Sequence, residues 1–182
     1  MMNSTKLKKG GIDTVVAYIV VAIPLIYLLV FIIGIIYHFS VQSYVSQVAK
    51  ELAITAGTHG KITAPMIERA NNRLATLDVG DFEIAIKVQE YNESTNSFSE
   101  KKLAYGPVNY DSHVKNLYST AIGLTDKKLH QKDIIEIYIQ SKENSMLASI
   151  SNFGMFGSGE TSESELKYSS FREEIVRNDP SW

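Results

Sequence analysis

Apolar residues follow two different patterns along this chain. From Val15 to Tyr37 the run VVAYIVVAIPLIYLLVFIIGIIY is apolar on every side, and no charged side chain occurs between Asp13 and Lys50. A helix rising ~1.5 Å per residue crosses the ~30 Å hydrocarbon core of a bilayer in ~20 residues, so the run is long enough to span one. It exceeds the ~7–15-residue apolar core of a secretory signal. Tyr37, His38 and Phe39 follow it instead of small cleavage-site residues, so the segment is expected to persist as an anchor. Beyond Tyr37 the pattern becomes periodic. Val41, Tyr44, Val45, Val48 and Leu52 recur at i, i+3, i+4, i+7 and i+11, one face of a helix, while Ser40, Gln42, Ser43, Ser46, Gln47, Lys50 and Glu51 occupy the others. One helix is therefore expected from about Asp13 to Ala56, apolar all round in its first half and amphipathic in its second, with Gly57 as its stop. Pro24 removes a backbone donor inside the apolar half and tends to kink it, and Gly34 is a second soft point.

Residues 58–182 carry mixed signals. Thr63 caps an expected helix through Leu77, with Pro65 in its first turn and Met66, Ala70, Leu74 and Leu77 as the inward stripe. FEIAIKV alternates strictly, with Phe82, Ile84, Ile86 and Val88 on one face, and DIIEIYIQ repeats the pattern with Ile135, Ile137 and Ile139, so both are half-buried strands. Residues 91–102 read as a polar loop. Asp111 or Ser112 opens an expected helix to Gly123 with Val114, Leu117, Tyr118 and Ala121 inward. Residues 145–158 read as an irregular connection, and Leu166 to Val176 as a third strand. The fold class is α+β, a long N-terminal helix followed by a small domain with an antiparallel sheet and helices on one side. The expected organisation is a basic leader over 1–11, the membrane helix and its amphipathic extension over 12–57, and one domain over 58–182.

Charge sets the expected orientation. Lys6, Lys8 and Lys9 precede the span and the next positive charge after it is Lys50, which keeps the N-terminus cytoplasmic and places the remainder outside. Setting aside the three lysines and Asp13 from 18 basic and 20 acidic residues leaves the outer part at a net charge of −4. An acidic domain without basic clusters argues against nucleic acid as a partner. The absence of cysteine excludes disulfides, thiolate metal sites and a cysteine nucleophile, so the outer domain must hold by packing.

No catalytic set assembles from the sequence. His38, His59, His113 and His130 are scattered, without the i, i+3 or i, i+4 spacing of a ligand pair. GSGE at 157–160 lacks the lysine of a phosphate loop, and GMFGSG does not match a nucleophile elbow. Glu160, Glu163 and Glu165 suit a solvated loop better than a calcium site. Tyr105, Tyr110 and Tyr118 read as core aromatics, and Asn92-Glu93-Ser94 matches the N-glycosylation acceptor pattern. No enzyme activity and no cofactor are expected.

Lys8, Lys9, Gly10, Gly11, Asp13, the apolar run and Pro24 within it resemble the N-terminus of the TadE-like family, the pilin-like (pseudopilin) proteins of tight-adherence (Flp) type IV pili. GDFEIAIKV at 80–88, KDIIEIYIQ at 132–140 and the late ELKYSSFREEI are similar to that family's paired and closing strands. The resemblance implies a minor pilin or pseudopilin supporting assembly of a tight-adherence-type pilus or a related secretion or conjugation apparatus. It implies other pilin-like subunits, a membrane assembly platform and a prepilin peptidase as partners, besides the lipid bilayer. Pro24, Gly34 and Ala22 would then shape helix kinking and close packing, and Val41, Tyr44, Val45, Val48 and Leu52 would form a helix interaction face. The sequence departs from the pilin pattern at one place. With cleavage after Gly11 the fifth mature residue is Val16 where pilins carry Glu, and the nearby acid is Asp13 at mature position two. Asp13 then either pairs with a free N-terminal amine or is an ordinary interfacial residue at the helix start. The alternative function is a signal-anchored extracytoplasmic binding or scaffold module that is never processed.

Overall fold

The helical pattern of the first sixty residues is realised as a single helix of 56 residues, α1 (Ser4–His59), which contains the basic leader, the apolar run and the amphipathic stretch. The structure, a computed structural model, describes residues 4–107, 121–122, 127–152 and 166–177. Along the chain α1 is followed by β1 (Lys61–Ile62), α2 (Ala64–Ala75), β2 (Phe82–Gln89), β3 (Tyr91–Asn92), β4 (Ser97–Phe98) and β5 (Lys102–Pro107). Then come β6 (Ala121–Ile122), β7 (Lys127–Lys128), β8 (Ile134–Ser141), α3 (Met146–Asn152) and β9 (Ser169–Ile175). The architecture is α+β. Its chain divides into two compact units, Met1–Tyr37 and His38–Trp182.

α1 does not stop at Gly57. It continues to His59 and ends against Gly60, whose φ of 60° is the left-handed conformation that closes a helix. Gly57 serves a different purpose. A Cβ there would sit 2.8 Å from Glu174 Cγ and 3.2 Å from the Ile175 carbonyl oxygen, so the missing side chain lets β9 approach the helix. Thr63 is the N-cap of α2 and Pro65 stands in its first turn, but the threonine side chain makes no capping bond; its carbonyl accepts from Met66 and Ile67 instead.

The main sheet is antiparallel throughout, in the order β6-β5-β2-β8-β9. Its centre is the β2–β8 pair, in register from Phe82 opposite Ser141 to Gln89 opposite Ile134. The alternation read from the sequence holds: Ile84, Ile86, Val88, Ile135, Ile137 and Ile139 are buried on one face. Between Ile86 and Lys87 the register with β5 shifts by a bulge. Just beyond it Gly106, at φ 104°, passes so close to β2 that a Cβ would lie 2.5 Å from the Ile84 carbonyl oxygen. β1 with β7 and β3 with β4 form two short separate pairs.

Four expectations need correcting. Residues 91–102 are not a plain loop, because they hold the β3–β4 hairpin and lead into β5. The stretch after Ser145 begins with α3. The helix expected up to Gly123 does not reach its end, since Ala121 and Ile122 pair with Pro107 and Gly106 as β6; the rest of that expected helix lies outside the described residues. The late strand is β9, shorter than expected at both ends.

Candidate membrane and assembly surface

The two parts of α1 meet different surroundings. From Val15 to Ile36 most of the large apolar side chains stand bare, with Tyr18 at 73% and Ile36 at 65% exposure, while Tyr27 and Ile35 are half-buried. In the span window only 6% of residues are buried, unlike the core helix of a water-soluble domain. One helix of this chain is thus long and apolar enough to cross a membrane. Lys8, Lys9, Gly10, Gly11 and Asp13 fall within its helical backbone. Pro24 lies inside the helix, Ala22 is exposed and Gly34 is buried. Tyr27 and Phe31, one turn apart, stack with ring centroids 6.5 Å apart.

From His38 the same helix becomes the spine of a packed head. Val41, Val45, Val48 and Leu52 are buried in one cluster with Ile62, Ile67, Leu74, Ile84, Ile86, Ile135, Ile137 and Ile139. These positions were expected to present an interaction face to other helices. Instead the sheet and α2 of the same chain cover that face, because the apolar sides of β2 and β8 need the same burial. The domain boundary moves accordingly. The head begins at His38, twenty residues earlier than the expected start at Thr58.

Polar contacts fasten this half of the helix at its margins. The Gln42 side-chain amide donates to the Ser169 carbonyl oxygen at 2.5 Å and its oxygen accepts from the Ser169 amide at 3.2 Å. Arg172 donates to Ser46 Oγ at 2.5 Å, and the Arg177 amide donates to the Gly57 carbonyl at 3.0 Å. From Gln42 to Gly57, α1 therefore runs alongside β9 in the same direction and shields its free edge, a common device against edge-to-edge pairing. His38 stacks on Tyr168 at 5.0 Å, with its Nδ1 buried and unbonded.

On the α2 side, Tyr44 is only partly buried. Arg73 lies 5.5 Å over its ring, donates to its hydroxyl at 3.5 Å and pairs with Glu51. The Arg73 bond, and after it one with Thr76, holds the Tyr44 hydroxyl below its usual pKa. Tyr44 and then Glu51 raise the Arg73 guanidinium above its own. A shallow cleft between α1 and α2 is lined by Val48, Glu51, Leu52, Met66, Arg69 and Arg73.

Two buried acids were not legible as special in the sequence. Asp133 accepts the amides of Tyr91 and His130, each at 2.8 Å, and pins the β3–β4 hairpin to the start of β8. Glu136 is buried on the outer side of the sheet, where Lys101 pairs with it and Tyr138 donates to it at 2.9 Å. That carboxylate raises the Lys101 ammonium above the usual lysine pKa. The lone acid inside IIEIYI was the available signal. Among the described residues no group of three His, Asp or Glu side chains is placed to hold a metal ion. No family model, curated protein or solved structure matches this chain.

Proposed function

We propose that this chain is a single-pass membrane protein with a cytoplasmic N-terminus and an extracytoplasmic head, and that it serves as a minor pilin or pseudopilin. In this reading it supports assembly of a tight-adherence-type pilus or a related secretion or conjugation apparatus, and it performs no catalysis. The observation that carries the reading is the split use of α1: the span from Val15 to Ile36 is mostly bare and apolar, while the continuation from Val41 to Ala56 is packed into a small α+β head.

Such a helix serves two environments. In the bilayer its apolar surface faces lipid; in a filament the same surface packs against the helices of neighbouring subunits, with Ala22 and Gly34 allowing close approach. Because Val41, Val45, Val48 and Leu52 are occupied within the head, subunit packing falls to the segment before His38. A second reading, a permanently anchored scaffold, is favoured by Val16 standing at the fifth position after Gly11.

Intact mass and N-terminal sequencing of protein from native membranes and from sheared surface material separate the two. Loss of the first ten or eleven residues, with protein in the sheared fraction, supports the pilin reading. An intact leader confined to the membrane overturns it in favour of the scaffold.

A further inference from the structure

We infer that Asn92 is an acceptor for an N-linked glycan, a conclusion that rests on the extracytoplasmic placement of the head. The Asn92-Glu93-Ser94 pattern has the required Asn-x-Ser form with no proline at its centre. The fold puts it where a transferase needs it. Asn92 ends β3 at the turn of the β3–β4 hairpin, and every residue from Asn92 to Phe98 is exposed. The hairpin follows Gln89, at the end of the sheet that holds Ile134 and Ile175 and lies opposite the end where Gln42 docks on Ser169.

The amide is also oriented. Its Oδ1 accepts from the Ser94 amide at 3.0 Å and from the Ser94 hydroxyl at 2.6 Å, while Nδ2, the atom that is modified, makes no hydrogen bond among the described residues, and the residue is exposed. The hairpin base is held rigidly beneath it. Tyr91 packs edge-on against Phe98 at 5.2 Å, its amide donates to Asp133, and Lys132 lies 4.8 Å over its ring. The residues that hold the turn are thus separate from the nitrogen that reacts. The implied donor is a sugar chain linked to a polyprenyl diphosphate. The Asn92 Nδ2–C1 bond forms, the C1–O bond to the carrier breaks, polyprenyl diphosphate leaves with the electron pair, and the amide proton passes to a base of the transferase.

The chain contains its own topological control. Asn3-Ser4-Thr5 matches the same pattern on the other side of the apolar run. The test is mass spectrometry of the full-length protein from its own membranes, reading the tryptic peptide between Lys87 and Lys101. A sugar mass on that peptide is expected, lost completely in Asn92→Gln and in Ser94→Ala and retained in Ser94→Thr, with thermal unfolding of the head unchanged. Since the chain lacks cysteine, Glu68→Cys reports sidedness through a membrane-impermeant maleimide on intact cells. An unmodified peptide with Glu68→Cys labelled overturns the glycan alone. Protection of Glu68→Cys, or a sugar on Asn3, overturns the orientation and the glycan with it.

Discussion

The halves of α1 before and after His38 draw their apolar positions from the same kinds of residue, yet they obey different rules. Val20, Ile26 and Leu29 in the first half are more than half exposed, while Val45, Val48 and Leu52 in the second are at most 5% exposed. The kinds of apolar residue alone do not separate them. Periodicity does, since a helix that meets its own domain on one side carries polar residues on the other, whereas one surrounded by lipid or by other helices is apolar all round. The lesson is that the polar positions of a helix, more than its apolar ones, tell what surrounds it.

Removing the second half of α1 along with the first gives the largest expected effect. A fragment starting at Thr58 loses seven buried apolar side chains of α1, from Val41 to Ala56. Their burial contributes on the order of 10 kcal/mol, comparable to the whole ~5–15 kcal/mol stability of a domain. That fragment should be unfolded by circular dichroism, and one starting at His38 should unfold cooperatively. Equal stability of the two would abolish the distinction drawn here. Within the head, Gly106→Val forces a branched side chain onto φ 104° and into the Ile84 carbonyl. A loss of about 3 kcal/mol or more is expected in urea unfolding.

In the other half, Leu29→Arg should leave the stability of the head within ~0.5 kcal/mol of the parent, because the side chain is more than half exposed and lies outside the head's compact unit. Its effect falls on membrane insertion, where a central arginine costs ~2.5–3.5 kcal/mol on insertion scales. Alkaline extraction of membranes reads the difference. The smallest effect is expected at Lys101→Met, about 1 kcal/mol from leaving Glu136 with the Tyr138 hydroxyl as its side-chain partner among the described residues. Its pH dependence has a definite sign. A lysine whose pKa is raised by folding contributes fully below the usual lysine range and loses its contribution as pH rises through the raised value. The gap between parent and variant in thermal melts should therefore stay constant at neutral pH and close at high pH.

The fold was legible where one period dominated. FEIAIKV and DIIEIYIQ announced β2 and β8 because one face of each is apolar and the other is not. β5 escaped notice because Lys102, Leu103, Ala104 and Tyr105 are exposed or half-buried on both faces and the strand ends in Gly-Pro. The β3–β4 hairpin carries an aromatic pair, Tyr91 with Phe98, amid polar residues, too few apolar positions for an alternating signal. Gly57 looked like a helix stop because glycine commonly is one; its role as a gap for β9 depends on a strand more than a hundred residues away. The stripe from Val41 to Leu52 is expected as a face toward other helices and is buried in its own head instead, because a single sequence does not state whether such a contact is with its own domain or another chain.

The pairing of Gln42 with Ser169, 127 positions apart, sets a schedule for biosynthesis. At ~5–20 residues per second, a ribosome needs on the order of ten seconds to make the chain between them. Until then the apolar stripe from Val41 to Ala56 has no β9 beside it, and the core it belongs to is incomplete. The nascent head therefore cannot complete its core until its last strand arrives. Long-range closure of this kind also slows folding itself. In the proposed topology, a chain with this order of elements is anchored first and folded last.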